Sequence, residues 1–500
     1  MHYLPNDPTV MKRILVLLAT CLMVFAPGLR SQNVGIGTPS PGGKLHIKGA
    51  ADVPQLIIDA NSVQSNLSPL LKLRNSMGTD LLWMHSDTAL NTFIGIYAGR
   101  VNNAIGGGVF NTYTGSHAGF SSTTGNSNSG FGANSLFLNA TGSFNSAHGL
   151  NALFSNASGS WNTAMGANAL FANTTGTSNT AVGNTALLSN INGSSNTAIG
   201  SDAMNHNTSG PGNTANGFKA LFSNTTGEVN TACGSNALFS NTTESANTAV
   251  GGNALYNTIA GLNTAVGYDA LVATTTGGFN TGVGKSSLGT NTAGYLNTAC
   301  GLESLYNNTT GSNNTAIGFD ADVSAGNLNY AVVFGANATV NASHKVRIGN
   351  GSVSVIEGQV AYSWPSDGRF KENIEDDVKG LDFILKLQPV SYNFNRLKFA
   401  QHVRENISVE REEILVAQSQ QRSVGFVAQE VEKIIQETGF SSFDAVHAPT
   451  NETDNYSIGY AVFVVPLVKA VQEQQLMIES QNQKIEFLLK EIELLKQKLK

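Results

Sequence analysis

Charge is scarce in this chain. Only 12% of its 500 residues are charged, and 28 lysines and arginines face 34 aspartates and glutamates, for a net charge of −6. So faint a balance leaves no basic footprint for nucleic acid or an anionic membrane, and no nucleic-acid partner is expected. Cysteine is rarer still: three residues, at 21, 233 and 300, build no disulfide framework. No HExxH, CxxC or P-loop occurs, and the nine histidines show no metal-ligand spacing. Neither a metal nor a cofactor is therefore expected. Beyond the first thirty residues no apolar run reads as long enough to span a bilayer, so no membrane span is expected once a leader is removed.

That leader is the first thing present. Met11-Lys-Arg precedes a short apolar run from Ile14 to Ala26, and Pro27-Gly28-Leu29-Arg30-Ser31 follows. This is a secretory signal pattern. Residues 1–31 are assigned to it, with translation starting at Met11 and cleavage before Gln32. Leu18-Ala-Thr-Cys21 has the outline of a lipobox, but apolar residues continue past the cysteine, which excludes it.

Residues 32–104 read as a β-rich segment. Asn33-Val34-Gly35-Ile36-Gly37-Thr38 with Lys44-Leu45-His46-Ile47 resembles the segment that opens many tail-fibre-like proteins. Its Gly-x-Gly is no nucleotide fingerprint, because no third glycine opens a helix. Apolar runs at Gln55 to Ile58, Leu70 to Leu73 and Leu81 to Met84 predict short strands.

Glycine is abundant, with 53 residues, and it keeps step. An asparagine opens thirteen units, at 111, 128, 145, 162, 179, 196, 213, 230, 247, 263, 280, 297 and 314. The step is 17 except for one of 16 between Asn247 and Asn263. The best units read Asn-Thr-Ala-apolar-Gly-x-x-Ala-Leu-x-x-Asn-Thr-Thr-Gly. The fifth slot is glycine from Gly115 to Gly318, as a backbone turning with positive φ requires. The ninth is leucine from Leu136 to Leu305, broken by Met204, and marks an inward face. The fourth is mostly apolar, and Cys233 and Cys300 fill it, which reads them as small buried hydrophobes four coils apart.

A unit this short cannot bury its own leucine, but stacking on its neighbour does. The prediction over 105–325 is a β-solenoid, roughly 60 Å long for thirteen coils at about 4.8 Å each. Recurring asparagine predicts side-chain amide ladders along the stack. The Asn-Thr-Thr sequons are read as ladder and turn chemistry, not glycosylation. The array resembles the left-handed β-roll heads of trimeric autotransporter adhesins. A glycosidase would need paired carboxylates; the repeats' acids (Asp202, Glu228, Glu244, Asp269, Glu303) fall at differing slots.

Residues 326–365 read as capping strands and a junction. Across its end, Ser366 and Lys371 stand five residues apart in Trp364-Pro-Ser-Asp-Gly-Arg-Phe-Lys-Glu-Asn-Ile374. A serine hydroxyl needs a base beside it, and lysine serves when its ammonium is desolvated. By themselves the two residues read far more readily as a polar turn with a solvated lysine.

The surrounding motifs say more. Ser366-Asp367-x-Arg369-x-Lys371-Glu372-Asn373-Ile374 is followed by Leu381-Asp382 and Leu387-Gln-Pro-Val-Ser-Tyr-Asn393. Gly425-Phe-Val-Ala-Gln-Glu-Val431, Tyr460 and Pro466-Leu-Val-Lys-Ala-Val-Gln-Glu-Gln474 come next. In this order they resemble the peptidase S74 domain, the intramolecular chaperone of endosialidase and other phage tail spikes. The resemblance implies a domain over 366–463 that cuts the bond before its own serine. Ser366 would be the nucleophile, Lys371 the general base, and Pro365–Ser366 the scissile bond. It would be a serine peptidase acting only on its own chain.

Within that domain the pattern predicts a helix near Val378–Leu387, a strand near Val390–Phe394 and a helix from Ala428 to Glu437. Glu405 to Gln421 reads as an insertion or exposed helix. From 464 to 500 a heptad runs plainly. Val464, Val471, Ile478, Ile485, Ile492 and Leu499 fall at a, with Leu467, Leu488 and Leu495 at d. Gln474 and Gln481 also occupy d, trading stability for register. Isoleucine at a with leucine at d favours a dimer; the trimer is implied by the family resemblance.

The fold expected is thus mainly β: a β-solenoid or β-roll, a small α/β chaperone domain, and a C-terminal coiled coil. The function expected is a secreted or cell-surface fibre, tail-fibre-like, that assembles as a homotrimer and releases its C-terminal domain before Ser366. The alternative is a structural fibre or adhesin that keeps that domain. Domains of this family also occur in membrane-tethered transcription factors; the signal segment and the lack of a basic DNA-binding stretch speak against that here. No motif names a cell-surface or glycan ligand.

Overall fold

The computed structural model describes residues 34–36, 45–47, 54, 56–59, 65–359 and 363–499. The signal segment lies outside the described residues. Residues 1–70 and 71–500 form two compact units. In the first, Val34–Ile36 pairs in parallel with Leu45–Ile47. The strand expected at Gln55 to Ile58 does not form over 56–58, and Gln55 lies outside the described residues.

The second unit opens with the antiparallel strands Leu71–Arg74 and Asp80–His85. Asp80–His85 then pairs antiparallel with Thr92–Ile94, where a parallel ladder begins. It rises one three-residue strand per coil through about 15 turns of β-solenoid. Neighbouring strands meet in register, Thr180↔Thr197, Ala181↔Ala198 and Val182↔Ile199 for example. The single missing residue between Asn247 and Asn263 falls in a turn, because Thr248–Val250 still meets Thr264–Val266 in register.

The repeat slots explain the coil. Alanine at the third slot and leucine at the ninth point inward, and Ala181, Leu187 and their equivalents are wholly buried. Each leucine from Leu136 to Leu305, and Met204, sits at φ between 49° and 54°. Left-handed backbone costs an L-residue about 1–2 kcal/mol. Burying a leucine side chain contributes about 1.5–3 kcal/mol, so burial wins at this slot.

Glycine at the fifth slot has no substitute. Gly183 has φ 139°, and a Cβ there would stand 2.4 Å from the carbonyl oxygen of Gly200 in the next coil. The coils touch backbone to backbone at that corner.

Asparagine works in two columns. In the opening slot Oδ1 accepts the backbone N–H of the next coil's asparagine, as Asn162 does from Asn179 at 3.0 Å, while Nδ2 donates to a glycine carbonyl, Gly176, at 2.9 Å. The twelfth slot makes the expected amide ladder, Asn173 Nδ2 donating to Asn156 Oδ1 at 2.8 Å. The sequon asparagines Asn173, Asn224, Asn241 and Asn308 are fully buried in this column.

The fourth slot requires a correction. Cys233 and Cys300 are exposed, not buried. Met165, 47% exposed, and Ile199 share that face. Successive strand side chains point to opposite faces. Because the third-slot alanine takes the inward direction, the fourth residue must point out.

Past 325 the ladder continues, with Val332–Phe334 and Val346–Ile348 pairing in parallel. A second short parallel pair, Asp322–Val323 with Thr339–Val340, lies beside them. Asp322 occupies the slot that leucine fills elsewhere and is buried there. Burial raises its pKa to about 7, against the lowering effect of the Asn307 and Val323 backbone N–H groups that it accepts. A carboxyl whose folded pKa is raised binds its proton more tightly folded than unfolded. Its contribution to stability is therefore full below pH 4 and lost as the pH climbs to about 7. Asp322→Asn is expected to abolish this slope and to stabilise the protein at pH 8 by roughly 4 kcal/mol at most. Thermal unfolding at pH 5 and pH 8 checks it; an equal pH effect in both proteins would exclude Asp322 as the source.

The α/β region carries α1 (Leu381–Lys386), α2 (Arg396–His402), α3 (Val409–Gln418) and α4 (Ala428–Thr438), with strand Val390–Asn393 antiparallel to Arg422–Gly425. α1 is shorter than predicted because Gly380 stands at its N-cap. α3 occupies the stretch read as an insertion or exposed helix, and it buries Arg411 and Leu415. The long helix α5 spans Val464–Lys498.

Candidate functional site at the Ser366–Lys371 junction

Pro365 fixes its own φ and disfavours helix at Trp364, so the chain enters the junction extended. Asp367 then turns it. Its carboxylate accepts the Arg369 backbone N–H at 2.9 Å and pairs with the Arg369 guanidinium at 2.6 Å. The Arg369 side chain, with its backbone N–H, holds Asp367 below the usual carboxylate range. One turn of 3-10 helix follows at Gly368–Phe370, closed by Lys371 N–H donating to Gly368 O at 3.3 Å.

This turn brings the two expected residues together. Lys371 Nζ donates to Ser366 Oγ at 2.8 Å. Pro365, Ser366 and Lys371 are all exposed. An ammonium in water is a donor, and only desolvation would make this lysine a base. Three large apolar side chains stand out in the same stretch: Trp364 is 89% exposed, Phe370 82% and Ile374 78%. In the single chain the dyad is assembled but wet.

The motifs scattered along the sequence converge behind it. The Tyr460 hydroxyl accepts the Phe426 backbone N–H at 3.0 Å, joining two of them. Phe383 of α1 meets Phe440, Phe443 and Phe463 in an aromatic cluster. At the start of α5, Lys469 pairs with Asp376 at 2.7 Å, and Glu473 accepts the Leu381 N–H at the head of α1 at 2.6 Å. α5 is thus anchored to the segment that follows the dyad. Its far end is not: Ile485, Leu488 and Ile492 are all exposed. Within residues 460–498 one 18-residue window has a mean hydropathy of 1.2, enough by length and composition alone for a membrane-crossing helix, where the sequence predicts no span. The anchoring of Lys469 and Glu473 seats the N-terminal part of that helix on protein.

Sequence reasoning missed a polar cluster against the last coils of the solenoid. Asp454 is buried, and Lys345 reaches its Oδ1 at 2.8 Å while His447 and the Thr450 N–H meet its Oδ2. Burial would raise the Asp454 pKa, but Lys345, the Thr450 and Asn455 backbone N–H groups and His447 outweigh it and hold the carboxyl far below its usual range. Glu405, also buried, joins Arg347 at 2.6 Å and Arg411. Nothing in the spacing of Lys345 and Asp454, 109 residues apart, could have signalled this pair.

No curated protein matches the chain. Residues 366–440, which begin at the dyad serine and follow the repeat array, match the family model Peptidase S74, the chaperone of endosialidase.

Proposed function

We propose that this chain is a fibre-forming surface or secreted protein of the tail-spike kind. Its C-terminal domain promotes assembly of three copies and then severs itself before Ser366. The observation that carries this reading is the 2.8 Å contact between Lys371 Nζ and Ser366 Oγ at the first residues of the matched family region.

Ser366 Oγ attacks the carbonyl carbon of Pro365. Lys371 takes the hydroxyl proton and delivers it to the Ser366 amide nitrogen as the C–N bond breaks. The ester left between Pro365 and Ser366 Oγ is hydrolysed by water, yielding a Pro365 carboxylate and a fragment with a free Ser366 amine. The reaction waits for assembly, because Lys371 is solvated in one chain. Packing of a neighbouring copy over Trp364, Phe370 and Ile374 would remove that water. The exposed heptad seam of α5 supplies the contact between copies. Parallel, non-local β pairing is slow to form, which gives a template its use.

The exposure of Lys371 also favours a second reading, a fibre that keeps its C-terminal domain. Intact-mass measurement under denaturing conditions, with sedimentation of the same sample, separates the two. Two chains meeting at Pro365–Ser366 in a trimeric sample support the proposal; one full-length chain in a folded trimer leaves the structural fibre. A chain ending before Val464 is expected to lose the oligomer and remain uncut. An unchanged trimer from it would remove α5 from assembly.

A further inference from the structure

We infer that the C-terminal domain is the permanent end-cap of the solenoid, remaining bound to the last coils whether or not the connecting chain is cut. The inference rests on the proposed cleavage for its biological occasion, but its geometry is independent of the dyad.

A parallel β-stack ends in a coil with no neighbour, and an uncovered end invites pairing with other chains. Here the last rungs of the second short sheet are met by the loop 450–455. Asn341 Nδ2 donates to Thr453 O at 2.6 Å, and Asn451 Nδ2 donates back to Asn341 O at 2.9 Å. Ser324, one coil earlier, shares a hydroxyl hydrogen bond with Thr453 at 2.9 Å. The loop uses the currency of the array itself: an asparagine donating to a backbone carbonyl, coil upon coil.

Two ion clusters flank that contact. Lys345 Nζ bridges Asn341 Oδ1 at 2.9 Å and Asp454 Oδ1 at 2.8 Å. Arg347, in the last strand, and Arg411 of α3 close on opposite oxygens of Glu405. The carboxylates of Asp454 and Glu405 are wholly buried. Arg396 of α2 adds a bond to Gly351 O at 2.7 Å. Separation would strip Lys345 from Asp454 and Arg347 from Glu405, leaving each buried carboxylate with only its partner in the C-terminal domain, His447 or Arg411, and buried pairs are only weakly screened by salt. Apart from the supporting Lys345–Asn341 and Arg411–Glu405 bonds, each of these contacts joins a residue before 352 to one after 395, so none depends on the bond at 365–366.

The test cuts the chain independently of its own chemistry. In the full-length Ser366→Ala protein, a sequence-specific protease site replaces residues 356–359, which are exposed. After digestion, both fragments are expected to co-elute in size exclusion at neutral pH and at 1 M salt, separating only in denaturant. Asp454→Asn with Glu405→Gln is expected to raise the released fraction at least tenfold. Asn451→Ala with Thr453→Val, milder changes in a surface loop, is expected to give partial release and guards against misfolding of the first pair. A C-terminal fragment that elutes apart from the digested parent overturns the inference, as does full retention in both variants. Because the cut is exogenous, absence of self-cleavage would sink the proposed function and leave this result standing.

Discussion

Ser366→Ala is expected to yield one full-length chain that still assembles, where the parent yields two fragments. The nucleophile is gone, while the turn at Gly368–Phe370 rests on Asp367 and Arg369 and is left intact. Lys371→Ala is expected to leave the chain uncut as well, through loss of the base. Lys371→Arg is the sharper variant. It keeps the charge and the reach to Ser366 Oγ, but a guanidinium is not deprotonated at any pH the protein survives. If the lysine merely positioned the serine, arginine would preserve much of the cutting; if it must accept a proton, cutting stops. Mass spectrometry after a long incubation reads the outcome, and a fragment beginning at residue 366 in the Ser366→Ala protein would remove the dyad from the mechanism.

The second large effect lies far from the junction. Gly183→Ala is expected to destabilise the array by at least about 3 kcal/mol, since it combines forbidden backbone with overpacking. At φ 139° an alanine is strained whatever the space, and its Cβ would stand 2.4 Å from the Gly200 carbonyl oxygen. No side chain can yield there, because the neighbour is backbone. Gly252→Ala is the control: its backbone is not left-handed, and the new Cβ would meet the Tyr268 ring at 3.2 Å, which a side-chain shift relieves. Thermal melts should set the two far apart, with proteolysis beginning near residue 183 in the first. Equal melting temperatures would mean that the fifth-slot glycine is not fixed by the stacking of coils.

Much of this architecture was legible because the chain repeats itself. Leucine every 17 residues can be buried only by a stack, and a glycine locked to the same phase can only be a corner. The amide ladder of Asn156 and Asn173 was legible for the same reason. The direction of the fourth slot was not. An apolar residue three places after asparagine reads as core, yet the alanine before it had already taken the inward side. In a three-residue strand, only one of two adjacent residues can face in. The dyad was legible as a spacing and a resemblance; that the turn at Asp367 closes it to 2.8 Å, and leaves it in water, was not.

The sequence by itself determined the solenoid, its phase, the chemistry available at Ser366 and Lys371, and a helix with an apolar seam. Periodicity and residue type carry that information locally, one coil or one turn at a time. Tertiary structure alone decided which strand face is solvent, that Asp322 sits in a leucine slot with a pKa of about 7, and that Lys345 and Arg347 are clasped by Asp454 and Glu405. Each of those depends on residues brought together across a coil or across the junction. Burial and ion pairing belong to the folded neighbourhood, and no single stretch of sequence contains it.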